Sequence, residues 1–166
     1  MPCSSAMITQ VVTIEPDETV ADAMILFDKH SIRSLPVIGE NNELLGVFSS
    51  HQLLKGLLPV SVTMEEGLRR LDFVIGTAPG VAKRLDRLKN NKISDHMARD
   101  VVVLAPSTQT WETIRLLVKH GSPLPVIDED TGKFLGLMSE QAAIRELERI
   151  AANIDEEDDE DNQEDK

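Results

Sequence analysis

The side chains best suited to nucleophilic, acid–base or metal chemistry in this 166-residue chain are few: Cys3, His30, His51, His96 and His120. A single cysteine excludes an intramolecular disulfide, and a position so near a chain end is a poor place for a buried nucleophile, so Cys3 reads as inert. His30 and His120 each follow a lysine at the end of an apolar-periodic stretch, where a positive group complements a helix dipole. His51 and His96 have no cysteine, aspartate or histidine at ligand spacing; Asp95 is only a sequence neighbour of His96. The sequence contains no glycine-rich phosphate loop, nucleophile elbow or HExxH motif. Catalysis therefore lacks a constellation, and the expectation is a protein that is not an enzyme. Ser49 and Ser139 are hydroxyls of another kind: each stands where a strand gives way to a helix, a place for an N-cap.

The elements that would position these residues come in two copies. Leu35 to Ser50 (LPVIGENNELLGVFSS) returns as Leu124 to Glu140 (LPVIDEDTGKFLGLMSE), and Val11 to His30 aligns with Val101 to His120 at an offset of 90. One residue is lost before the second LPVI and one gained in the turn after it. Within each copy, Val11 to Ile14 predicts a short strand, and Thr19 with Asp22 predicts a capping box opening a helix. Val20, Ala23, Met24 and Phe27 fall on one helical face, as do Thr110, Thr113, Ile114 and Leu117. Leu35 to Ile38 and Leu44 to Phe48 predict a hairpin turned at Asn41-Asn42, with Asp130 to Gly132 as the second turn, and Gln52 to Leu58 a closing helix. The order is β-α-β-β-α. One such unit is too small to cover both faces of its sheet, so a second sheet should pack against it.

This order, with LPVI before a turn and Leu-Gly before Ser, resembles the CBS domain, named after cystathionine β-synthase. The resemblance implies an α+β fold of two CBS units packed sheet to sheet with pseudo-two-fold symmetry. The expected organisation is a first unit over 1–58, a helical basic linker over 59–92, a second unit over 93–150 and a disordered acidic tail over 151–166. CBS pairs bind AMP, ADP, ATP or S-adenosylmethionine in clefts between their units. The family's (S/T)-x-x-D pattern uses the hydroxyl for phosphate and the carboxylate for ribose. Here the hydroxyls are Ser49 and Ser139, while Gln52 and Ala142 replace the aspartates. The hydroxyl usual after each opening Met is also missing, since Ile8 and Ala98 follow Met7 and Met97. Arg33, two residues before Leu35, is placed by resemblance to reach a phosphate; Ser122 and Pro123 stand in the second copy. The resemblance thus implies a nucleotide site at Arg33, Ser49 and Gln52, with Ser139 its weaker counterpart. A regulatory module is the first reading, and an interaction scaffold whose clefts have lost their ligand is the second.

Of the net charge of −12, −8 lies in Asp155 to Lys166, a run expected to stay solvated. Its sign disfavours nucleic acid as a partner. Between the copies, Met64, Leu68, Leu71 and Ile75 predict an amphipathic helix stopped by Gly76 and Pro79-Gly80. A second helix follows with Val81, Leu85 and Leu88 on one face and Lys83, Arg84, Arg87 and Lys89 around the rest, either solvated or docking a partner or the chain's own tail. No apolar run reaches membrane-spanning length, and residues 1–10 lack a signal-peptide pattern, so no membrane insertion and a cytoplasmic location are expected. Faces bearing Val20, Met24 and Phe27, and Leu53, Leu54, Leu57 and Leu58, exceed what one sheet covers. A homodimer is therefore expected, with an unknown protein partner to regulate.

Overall fold

The computed structural model describes residues 2–58 and 78–164. The amphipathic helix expected around Met64 to Ile75 lies outside the described residues. Helix α1 (Val20–His30) opens on the expected capping box: Thr19 Oγ1 accepts from the Asp22 amide, and the Asp22 carboxylate accepts from the Thr19 amide at 2.9 Å. It buries Val20 and Ala23 and ends at Ser31 in the left-handed region. Strands β1 (Ser34–Ile38) and β2 (Leu44–Ser49) form an antiparallel hairpin, and helix α2 (Ser50–Leu57) follows directly. Helix α3 (Ala78–Leu88) then leads into a short 3-10 turn at Ile93–Asp95. The second copy supplies α4 (Thr110–His120), the antiparallel hairpin β3 (Leu124–Ile127) and β4 (Phe134–Met138), and α5 (Glu140–Glu164).

Two expectations are corrected. Val11 to Ile14 is not a strand: only Ile14 pairs, in parallel with Val37, and in the second copy only Leu104 pairs, with Val126. Prolines explain the limit. Ile14 N–H donates to the Pro36 carbonyl and Ile38 N–H to the Ile14 carbonyl, each at 3.0 Å. The next bonds of a parallel ladder would need N–H donors at Pro36 on one side and Pro16 on the other, and neither has one. Pro125 and Pro106 impose the same limit around Leu104. Second, the acidic end is helical as far as Glu164. Ala151, Ala152 and glutamate are good helix formers, and extending a helix already nucleated at Glu140 is far easier than starting one.

The chain divides into two compact units, Val12–Val101 and Met1–Val11 with Val102–Lys166. Each contains the opening segment of the other repeat. In the first, Ile93 and Met97 join Ile14, Val20, Ala23, Leu35, Val37 and Phe48, while Leu88 brings α3 onto the same core. In the second, Cys3 joins Leu104, Leu117, Leu124, Val126 and Met138. Cys3 and Ile93 are repeat equivalents, so the cysteine is a small apolar core residue, and burial pushes its thiol pKa up. The opening segments are held by reciprocal backbone bonds. Val47 and Ala98 exchange two at 2.9 Å; Ile8 and Leu137 exchange two at 2.7 and 2.9 Å.

The glycine of each Leu-Gly pair makes this crossing possible. A Cβ on Gly46 would run into the Ala98 carbonyl oxygen, and one on Gly136 into that of Ile8. These are backbone atoms, which cannot swing aside as a side-chain tip does. Gly46→Val and Gly136→Val should each lower unfolding free energy by about 1–3 kcal/mol, as overpacking does. Gly132→Ala in the exposed turn tests a different cause, its φ of +69° with no neighbour within 4 Å. Thermal denaturation should rank both strand variants below it.

Candidate functional site

Three of the four site residues named from the sequence meet at one end of the β1–β2 hairpin. Ser34 pairs with Ser49, and the Arg33 carbonyl accepts from the Ser50 amide at 2.9 Å, so Arg33 stands beside the start of α2. Ser49 is the N-cap of α2, its Oγ accepting from the Gln52 amide at 3.3 Å. The Arg33 side chain is exposed, and Ser49 and Gln52 are half-buried. The capping role uses the Ser49 oxygen as an acceptor and leaves its O–H free to donate. A guanidinium, a hydroxyl donor and a carboxamide at a helix N-terminus together suit a phosphate and a neighbouring hydroxyl.

Ser139 belongs to the other compact unit. Its Oγ accepts from the Ala142 amide at 3.1 Å, and Ser122 Oγ accepts from the Glu140 amide at 3.1 Å. Two serines thus cover the start of α5. No cationic side chain occupies the position of Arg33 there, and Ala142 is buried.

The histidines divide as their positions suggest. His30 and His120 lie in the last turns of α1 and α4, and His51 is exposed in the first turn of α2. His96 is half-buried with Nε2 3.0 Å from Asn91 Nδ2. Among the described residues, no group of three or more His, Cys, Asp or Glu is placed to hold a metal ion. None of the helices searched there is long and apolar enough to cross a membrane.

One buried carboxylate gave no signal in the sequence reading. Glu146 on α5 is 7% exposed and accepts from Ser5 Oγ at 2.9 Å and from Arg149 at 2.8 and 2.9 Å. Arg149 first, and Ser5 second, hold its pKa down at about 2 instead of 4.5. It ties the opening 3-10 turn, Cys3–Ser5, to α5. Nearby, the Thr113 hydroxyl is buried without a hydrogen-bond partner of ordinary geometry, where the first repeat has Ala23.

A CBS domain model matches residues 3–59 and 93–149. The chain belongs to the CBS domain family and is a tandem CBS protein. Protein MJ1426 of Methanocaldococcus jannaschii is 26% identical over 144 residues, 82% of this chain and 85% of that protein. The chloroplastic CBS domain-containing protein CBSX2 of Arabidopsis thaliana is 28% identical over 136 residues, which span 80% of this chain and 56% of that one. The crystal structure of CBSX2 superposes with a TM-score of 0.70 at 25% identity, covering 91% of this chain and 96% of that structure. A structure of CBSX2 in complex with AMP gives 0.66 at 25% identity, covering 90% and 98%. Inosine-5'-monophosphate dehydrogenase of M. jannaschii is 24% identical over 134 residues, and this chain spans only 21% of that enzyme.

The depressed pKa of Glu146 fixes a pH dependence. A carboxylate held below its unfolded value stabilises the fold fully above about 4.5 and loses that contribution as pH falls toward about 2. Acid titration followed by circular dichroism should therefore show a transition in this window that is reduced in Glu146→Gln. An identical acid limb in that variant would remove Glu146 from the account.

Proposed function

We propose that this chain is a non-catalytic regulatory protein that binds an adenine nucleotide at Arg33, Ser49 and Gln52. The observation that carries the reading is the convergence of these three side chains at the start of α2, produced by the Ser34–Ser49 pairing. The AMP complex of CBSX2 supports the ligand class. Arg33 contacts phosphate and the Ser49 hydroxyl donates to it. Gln52 takes the place of the family's ribose-binding aspartate and bonds one ribose hydroxyl at most. Ser139, with Ala142 beside it, contributes a weaker second site. Loss of that ribose partner, and the use of both serines as caps, also favour a second reading: an interaction scaffold that binds no nucleotide.

The assembly we propose is a homodimer. Of the two faces expected to be apolar and free, that of α1 is largely covered, since Val20 is wholly buried and Met24 and Phe27 pack against the core, although Ile25 beside them is exposed; on α2, Leu53 and Leu57 pack inward while Leu54 and Leu58 are exposed. On α4, Trp111 and Val118 are 78% and 81% exposed, and Val118 lines a groove of about 250 Å³ together with Ile114, Ala143, Ile144 and Leu147. A second copy presenting the same face would cover this apolar surface by two-fold self-complementarity.

The reading is tested by melting the full chain with AMP, ADP, ATP and S-adenosylmethionine. A ligand at a hundred times its dissociation constant adds about 2.7 kcal/mol of apparent stability. The response should vanish in Arg33→Ala and strengthen in Gln52→Asp, which restores a two-oxygen acceptor for ribose. If none of the four ligands moves the melting temperature, the nucleotide reading fails and the scaffold reading stands. Sedimentation should show a dimer that Trp111→Glu dissociates; a monomeric parent chain would refute the α4–α5 interface.

A further inference from the structure

The two repeats give an internal comparison at the end of each closing helix. Positions 56 and 146 are equivalent at the offset of 90, as are His96 and Ala6. At 146 the chain supplies its own anion, the Glu146 carboxylate, held by Ser5 and Arg149 and packed near Cys3, Ala6 and Thr113. At 56 it has glycine. There a cavity of about 350 Å³ opens, walled by the C-terminal end of α2, by α3 and by His96. Among the described residues, no carboxylate lines it.

What lines it is cationic and donor-rich. Arg84 and Arg87 are three residues apart on α3 and therefore share a face. Arg84 Nη1 donates to the Leu57 carbonyl at 3.2 Å, which anchors one guanidinium at the rim. The Arg87 guanidinium has no hydrogen-bond or ion-pair partner among the described residues. With the Asn91 amide donating to His96 Nε2, the ring's own N–H lies on Nδ1, the ring atom nearest Gly56. A Cβ at position 56 would stand 3.2 Å from Leu88 and 3.6 Å from His96 Nδ1, so any longer side chain there would enter the space. Leu57, Leu58 and Leu88 complete the wall with apolar surface. The cavity is at the opposite end of α2 from Ser49, about 12 Å along its axis.

We propose that this cavity is a second binding site, for a small phosphate-bearing molecule. Arg84, Arg87 and His96 Nδ1–H bind the phosphate, and the leucines pack against the apolar part of the ligand. Two guanidiniums and an imidazole N–H offer more donors than one carboxylate accepts, whereas a phosphate presents three terminal oxygens. One repeat thus carries its anion covalently, and the other takes it from solution. The site uses none of the residues assigned to the nucleotide and stands or falls independently of that reading.

The test uses the full chain with inorganic phosphate and then pyrophosphate as probes, ionic strength being held constant with chloride. The His96 ring resonances report this site, and the Arg33 and Ser49 amides report the other. Phosphate should shift the His96 resonances saturably. Arg87→Gln and Arg84→Gln should each weaken the response roughly tenfold, the loss of one charge-assisted contact. Gly56→Glu, which builds in the carboxylate found at 146, should abolish it. Arg87 is exposed, so its variant keeps the protein testable even if Gly56→Glu does not fold. No saturable shift of His96, an equal shift with chloride, or an undiminished response in both arginine variants would overturn the proposal.

Discussion

At Gly46 and Gly136 a distant stretch of backbone crosses the place where a side chain would stand, and most of the architecture depends on that contact. Each hairpin has two edges needing partners. One is met by a single residue, Ile14 or Leu104, confined to one position by flanking prolines that cannot donate. The other is met by Ala98 or Ile8, admitted only because glycine leaves room. Each sheet edge is thereby met at one position without a long added strand. The opening segments arrive from the other repeat, and Ile93, Met97 and Cys3 travel with them into the cores they complete. A single repeat cannot close its own core.

This frame is closely symmetric, while the chemistry laid on it is not. Arg33 stands where the second copy has Ser122, and Gly56 where it has Glu146. The unit Val12–Val101 therefore presents an exposed Arg33 and, beside a cavity, Arg84 and Arg87, whereas its counterpart satisfies an internal carboxylate with Arg149. Duplication supplied two equivalent frames, and substitution at a few positions left glycine and open space in one where the other has a carboxylate. Relatives that share the fold need not share this asymmetry, because neither Gly56 nor Arg87 is required to hold a strand or a core.

Local features were legible in the sequence to the extent that they were local. Thr19 and Asp22 announce their capping box because partners three residues apart meet in any helix start, and the serine caps follow from the strand-to-helix change. The repeat itself identified the hairpins. The exchange of opening segments was not legible, because an offset of 90 says which residues are equivalent and not which ones touch. Its signal was nonetheless present: a glycine at the same place in two otherwise apolar strands implies a close backbone approach. The single-residue pairing of Ile14 was equally written in Pro16 and Pro36, visible only once the ladder's register is known. Arg33, Ser49 and Gln52 were grouped in advance only by the family resemblance; the Ser34–Ser49 pairing is what puts Arg33 beside the start of α2. The Gly56 cavity could not be foreseen, because it draws on α2, α3 and His96 across 40 residues of sequence.

The most direct test of this account is residue-resolved amide hydrogen exchange on the intact chain. If the opening segments are integral to the cores, the Ile8 and Ala98 amides, which donate to Leu137 and Val47, will exchange as slowly as those of Met138 and Phe48, which pair within the hairpins with Leu124 and Leu35. All four would then open only with the unit that contains them. Exchange of Ile8 and Ala98 at the rate of exposed loop amides, with Met138 and Phe48 still protected, would contradict it: the hairpins would then be stable without the segments that cross them.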